Sequence, residues 1–194
     1  MDFFDSISFT DFFFNTYPGY FLQLIPITLI TVMIYYLVTL RKNKEIPSYR
    51  KIARVLFVCY IFGFLGLTLF IDRIGDMWYW ILFQTGSGHV YYPLTWDCNF
   101  IPDFITRFNG EMLMNILVFL PFGILLPLAT DCTWKKTVLV GAILIIAVEL
   151  IQPFIGRAFD INDVILNILG LLISSTLFFL ISKAIRVSGN KRIP

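Results

Sequence analysis

Six residues equipped for chemistry fall within nineteen positions of an otherwise apolar chain: Glu149, Gln152, Arg157, Asp160, Asp163 and Asn167. Carboxylates in such a setting serve as general bases, as oxygen ligands for a hard cation, or as acceptors for a polar ligand group. Glu149 and Gln152 stand three apart and share a helical face; Asp160, Asp163 and Asn167 follow at i, i+3, i+7 and share another. Asn115 contributes an amide from a separate segment. Glu149, Asp160 and Asp163 against Arg157 leave a formal balance of −2. Arg73, Arg107, a bound cation, a cationic ligand group or protonation of a carboxyl must offset it. A charge at the centre of a membrane helix costs about 2.5–3.5 kcal/mol, so such groups face the bundle interior or an aqueous cavity. A plainer reading stands beside this one. An Asp at a helix start is often only a cap, and Arg157 can pair with Asp160 or Glu149, so the cluster would simply lock a hairpin.

The elements that must position these residues follow from composition. Of 194 residues, 58% are hydrophobic and 14% charged, with mean hydropathy +0.79; soluble domains carry about 25% charged residues. Several runs approach the ~20 residues needed to cross a hydrocarbon core of about 30 Å. The reading is an all-α, polytopic membrane bundle, a single integral membrane domain over 1–194, with spans near 20–40, 52–71, 112–129, 137–155 and 163–182. Pro26 and Pro121 are expected to kink their helices, with neighbours satisfying the freed carbonyls. The first span is too long for a signal-peptide core and no small-residue cleavage site follows it, so it is expected to be retained.

Lys and Arg set the orientation. Arg41, Lys42, Lys44, Arg50, Lys51, Arg54, Lys135, Lys136, Lys183, Arg186, Lys191 and Arg192 fall on one side; only Arg73, Arg107 and Arg157 fall on the other. Positive charge stays in the cytoplasm, so the N-terminus is expected outside the cell and the C-terminus inside. The polar cluster then sits at the exterior end. An aromatic-rich extracellular loop is expected over 72–111, with "MWYWILF", "HVYYPLTW" and "NFIPDFITRF" at headgroup level and a turn at "TGSG".

Several chemistries are excluded or unsupported. Nothing resembles a nucleic-acid module, and the net charge of +2 comes from clusters that flank spans. The three cysteines give no disulfide framework; they are expected as free thiols, with Cys59 a small packing residue. His89 is the only histidine, there is no Gly-x-Ser-x-Gly or Walker sequence, and Ser174 and Ser175 have no base in register. Glu149, Asp160 and Asp163 lack a recognised metal spacing, so neither metal nor cofactor is expected.

"NFIPDF" at 99–104, "NILVFLPFGILLPL" at 115–128, "VELIQ" at 148–152 and "RAFDINDVILNILG" at 157–170 resemble the VanZ-like family over about 96–175. Matching positions are Asn99, Pro102, Asn115, Pro121, Gly123 and Pro127. In the second half they are Glu149, Gln152, Asp160, Asp163, Asn167 and Gly170. Leu171 and Ser174 stand where the family continues with glycine, and Pro153 directly after Gln152 is a local departure. The resemblance implies a cell-membrane protein of mainly Gram-positive bacteria that confers low-level resistance to teicoplanin-type lipoglycopeptides. Two functions are carried forward. In the first, a non-enzymatic protein binds an amphiphile at the outer leaflet, either a lipoglycopeptide or a lipid-linked cell-wall precursor. Its polar head would meet Glu149, Gln152, Arg157, Asp160, Asp163, Asn167, Asn115, Asn99 and Arg107. In the second, a membrane enzyme acts on a lipid head group, with Glu149 or Asp160 as general base, Asp163 positioning it, and Arg157 or Arg107 stabilising developing negative charge. Membrane lipids are the expected partners; the oligomeric state is left open.

Overall fold

The computed structural model describes residues 8–41, 43, 45–88 and 97–190. Its fold is an all-α membrane bundle. Five helices are long and apolar enough to cross a bilayer: Tyr17–Leu40, Ser48–Phe83, Gly110–Thr130, Trp134–Ile155 and Ile161–Ile185. Large apolar side chains such as Leu29, Ile143 and Leu180 stand exposed on their outer faces, the surface a lipid environment accepts. A short helix α1 (Phe9–Asn15) precedes α2 (Tyr17–Tyr35), and each is capped by a hydroxyl, Ser8 and Thr16.

The second span runs as α3 (Ser48–Leu65), a π-helical turn (Gly66–Phe70) and α4 (Ile71–Phe83). This corrects the loop expected from Asp72 onward, because "MWYWILF" is helical. Asp72, Arg73 and Asp76 interrupt the apolar run without interrupting the helix. At 36 residues the segment is far longer than the bilayer core requires, about 54 Å at 1.5 Å per residue against about 30 Å. The backbone leaves helical values at Phe70 (φ −124°, ψ 1°). Beyond that point α4 packs on the N-terminal helices through Phe13–Trp78 and Phe14–Tyr79 ring pairs, with centroids 5.8 and 5.4 Å apart. Gln84 and Gly88, both with positive φ, follow it. The "HVYYPLTW" stretch lies outside the described residues, and with it most of the expected hairpin.

The third span breaks at Phe119 (φ −91°, ψ −2°) into α5 (Gly110–Val118) and α6 (Leu120–Thr130). Pro121 explains the break, since it offers no N–H to the preceding turn and its ring crowds that turn's carbonyls. The Tyr60 hydroxyl of α3 donates to the Val118 carbonyl at 2.9 Å. Near Pro26, the Trp78 indole N–H donates to the Gln23 carbonyl at 3.0 Å. Both bonds tie neighbouring helices together near a proline, and α2 runs unbroken through Pro26.

The fourth span is α7 (Trp134–Ile151) followed by a 3₁₀ turn (Gln152–Ile155); the fifth is α8 (Ile161–Asn190). A core of Phe64, Phe119, Phe122, Ile145, Val148 and Leu171 joins α3, α6, α7 and α8. Close approach of α8 survives the loss of the family's later glycines because Gly123 and Gly170 suffice. A Cβ on Gly170 would overlap the Ile116 carbonyl oxygen, and one on Gly123 would overlap the Ser174 hydroxyl and Ser175 backbone. At the end rich in Lys and Arg, Arg54 donates to the Ala129 carbonyl at 2.9 Å and Arg50 pairs with Asp131. Cys59, Cys98 and Cys132 are free thiols; Cys59 is exposed rather than packed inside.

Gly170→Val puts a branched side chain against backbone that cannot yield, so overpacking of about 1–3 kcal/mol or more is expected. Tyr60→Phe leaves the Val118 carbonyl without its donor and should cost about 1–3 kcal/mol. Thermal unfolding of the purified protein in detergent should place both variants below the wild type. A Gly170→Val protein that melts with the wild type would show that α5 and α8 are not in backbone contact.

Candidate functional site

The polar cluster is organised by the connection between α7 and α8. Pro153 turns the end of α7 into the 3₁₀ segment, which closes on Gly156 in the left-handed region (φ 88°), a conformation glycine adopts without strain. Arg157 N–H returns to the Gln152 carbonyl at 3.0 Å. A two-residue strand β2 (Phe159–Asp160) follows and pairs in parallel with β1 (Cys98–Asn99), Cys98 opposite Phe159 and Asn99 opposite Asp160.

Asp160 then caps α8. Its Oδ1 accepts from the Asn162 backbone N–H at 2.8 Å and side-chain amide at 2.9 Å, and from the Asn99 amide at 3.3 Å. Asn162 is buried and works as a hub. Its Oδ1 accepts from the backbone N–H groups of Asp103 and Phe104 at 3.0 and 3.2 Å, and its amide donates to Asp103 Oδ1 at 2.9 Å. The loop carrying "NFIPDF" is thereby fastened to the start of α8. Asn162 and Asp103 were not among the residues singled out from spacing. Their signal lay in the sequence as an amide two positions after a helix-capping Asp, and as an acid inside a quoted motif.

Around this frame α2, α3, α5, α7 and α8 enclose a cavity of about 400 Å³. Its polar wall is formed by Asn115, Glu149, Arg157, Asp160, Asp163 and Asn167, joined by Glu111. Glu149 is only 3% exposed. Gln152, buried beside it, satisfies its surroundings with the amide nitrogen turned inward, donating to Glu149 Oε2 at 2.9 Å and the Ala158 carbonyl at 3.3 Å. Asn115 of α5 donates to Asp163 of α8. Arg157 directs Nη1 to the carbonyls of Leu67 and Thr68 at 3.2 and 2.8 Å. These carbonyls belong to the π-helical turn just before the break at Phe70, where helical partners run out. The expected pairing of Arg157 with Asp160 or Glu149 therefore gives way to a guanidinium that bridges the hairpin to α3.

Not every expected residue reaches the cavity. Gln152 acts behind Glu149, and Asn99 acts through Asp160. Arg107 lies away from the wall, 79% exposed and 3.6 Å from Asp103. Asn167, 6% exposed, lines the cavity with an Oδ1 that has no hydrogen-bond partner. Among the described residues no three His, Cys, Asp or Glu side chains converge as metal ligands would.

Beside the polar cavity runs an apolar groove of about 580 Å³ between α2, α3 and the α5–α6 segment. The two share Phe21, Phe64, Leu67, Met114 and Val118 as a common wall. The rest of the groove is lined by residues such as Ile25, Leu29, Cys59, Gly63 and Leu117. Ile25, Leu29 and Leu117 are also exposed on the outer surface of the bundle.

A model of the VanZ/LLP1 family matches residues 57–182. The match reaches past the motifs at 96–175 to take in the second half of α3 and all of α4. No curated protein and no solved structure matches the chain.

Removing the hub amide should release the loop. Asn162→Ala in a Cys59→Ser, Cys132→Ser background is expected to speed maleimide labelling of Cys98 several-fold in detergent, with little change in helix content by circular dichroism. Unchanged labelling would mean that the β1–β2 pairing holds the loop without Asn162.

Proposed function

The chain belongs to the VanZ/LLP1 family, and from that premise we propose that it binds an amphiphile at the exterior face of the cell membrane. The head group would occupy the polar cavity and the hydrocarbon chain the adjoining groove. The observation that carries this reading is the shared wall. A polar cavity of about 400 Å³ and an apolar groove of about 580 Å³ meet along Phe21, Phe64, Leu67, Met114 and Val118. Both lie in the size range of ligand sites, and the groove's exposed apolar lining offers entry from the bilayer without passage through water.

Orientation is the second part of the proposal. The Lys and Arg distribution supports an exterior hairpin between α7 and α8, with the N-terminus outside and the C-terminus in the cytoplasm. Through the family, the amphiphiles proposed are lipoglycopeptides of the teicoplanin type or lipid-linked cell-wall precursors, and the phenotype is resistance in a Gram-positive cell envelope. The acid–base enzyme reading is weaker. Arg157 Nη1 is engaged by the Leu67 and Thr68 carbonyls, and Arg107 lies outside the cavity, so neither is placed to stabilise negative charge on a substrate.

Gly63→Trp tests the groove. A Cβ added at Gly63 meets nothing within 4 Å, and replacing glycine within a helix favours helix formation. The variant should therefore fold and accumulate normally while occluding the groove. Loss of lipoglycopeptide resistance at equal abundance is expected, and retained resistance would overturn the reading. Cys98 and Cys132 lie near opposite ends of the bundle and test orientation. A membrane-impermeant maleimide applied to intact cells should label Cys98 and spare Cys132, and the reverse pattern would invert the proposed topology.

A further inference from the structure

Building on the amphiphile reading, we propose that the cavity selects a head group that is cationic and rich in hydrogen-bond donors, an ammonium on a hydrocarbon chain. The first observation is charge. Glu111, Glu149, Asp160 and Asp163 line the cavity against the single guanidinium of Arg157. The second is independent of charge and concerns what the wall still lacks. Asn167 is buried and lines the cavity, and its Oδ1 has no donor.

Three of the nearby donors are already engaged. The Asn115 amide is held by Asp163, and the Gln152 amide reaches Glu149 from behind the wall. Arg157 Nη1 serves the Leu67 and Thr68 carbonyls, although its charge still offsets one carboxylate. The carboxylates of the wall remain as acceptors, beside the hydroxyls of Tyr17 and Tyr20. A phosphate or sulfate head would bring more acceptors and more negative charge into a space of low dielectric, where like charges repel strongly. A hydroxyl head supplies one donor but no compensating charge. An ammonium supplies three donors and a positive charge from one atom. Placed between Glu149 and Asn167, it satisfies the buried carboxylate and the unpartnered amide oxygen together.

Two sources offer this chemistry: an amine-bearing lipid of the bilayer, and an exogenous lipopeptide with a free amine. The test uses three probes with one lauroyl chain and different heads, namely N-lauroyl-ethylenediamine (ammonium), N-lauroyl-ethanolamine (hydroxyl) and N-lauroyl-taurine (sulfonate). Affinities are read on the purified full chain in a neutral maltoside detergent, by competition against a fluorescent alkyl probe. The ammonium probe should bind about tenfold more tightly than the hydroxyl probe, the scale of one charge-assisted hydrogen bond, and the sulfonate more weakly still. Glu149→Gln keeps the shape and removes the charge; it should erase most of the ammonium preference while leaving the hydroxyl probe's affinity in place, which also reports that the site is folded. Asn167→Leu should lower ammonium affinity several-fold by a separate route.

Equal affinities for all three heads would overturn the ammonium assignment and leave the amphiphile site standing. If no probe binds and Gly63→Trp is equally indifferent, the amphiphile reading falls with it. Native mass spectrometry of protein extracted in mild detergent assigns the source. A retained amine-headed lipid points to the bilayer, and a lipid-free protein that binds the added ammonium probe points to a ligand from outside. A retained anionic lipid displaced by the sulfonate probe would overturn the proposal.

Discussion

Arg157 donating to the carbonyls of Leu67 and Thr68 is the contact on which the arrangement of the site depends. A bilayer provides no water to satisfy a broken helix, so every interruption within it needs a partner from the protein. The second span is interrupted at Phe70, and the guanidinium that answers it comes from the hairpin between α7 and α8. One side chain thus stabilises the bend in the α3–α4 segment and fixes the position of the hairpin carrying Asp160. Similar donors from neighbouring helices stand near the two prolines. Tyr60 serves Val118 at the Pro121 interruption, and Trp78 serves Gln23 near Pro26. Each of these donors crosses from one helix to another, so the repairs also tie the bundle together.

The cavity follows from where the repairs are made. Breaks at Phe70 and Phe119 part α3 and α5 locally, while Gly123 and Gly170 hold α8 tightly against the α5–α6 segment. Space opens on one side of α5 and is closed on the other. Into that space α7 presents Glu149, and α8 presents Asp163 and Asn167 from successive turns. Asp160 has a double role, since one oxygen caps α8 while the side chain still forms part of the wall. The structural and functional readings of this residue are therefore not alternatives.

Much of this was legible in the sequence where the signal is local. Apolar runs near the thickness of a bilayer mark the spans, and the spacing of four puts Asp163 and Asn167 on one face of α8, whereas Asp160 precedes the helix as its cap. Pro121 announces its own break. The α4 segment was misread because Asp72, Arg73 and Asp76 look like the end of a span, and the aromatic contacts from α1 that keep it helical lie more than sixty residues earlier in the chain. The partner of Arg157 was beyond reach for another reason. Backbone carbonyls carry no residue identity, so nothing about Leu67 or Thr68 in the sequence marks them as acceptors for a side chain ninety positions away. The groove was invisible too, because lipid-facing and groove-lining positions are both simply apolar.

The chemistry of Asn167 differs from that of the residues that fasten the hairpin. A buried acceptor left without a donor costs about 1–3 kcal/mol, and an apolar residue of similar volume would remove that cost. Leu166 and Leu171, close by on the same helix, are fully buried and show that leucine fits its interior. A cluster present only to fasten the hairpin needs Asp160, Asn162, Asp103 and Arg157, all of which have partners within the protein. It needs neither the open acceptor of Asn167 nor a carboxylate as deeply buried as Glu149 above an open space. Under the proposed reading, a donor from outside the chain would meet Asn167 and add to the Gln152 bond that Glu149 already accepts, and binding would return stability to the folded protein by mass action. Asp160, Asn162, Asp103 and Arg157 are thus fastened within the protein, whereas Asn167 Oδ1 has no donor there, and it is on this difference that the proposed ligand reading rests.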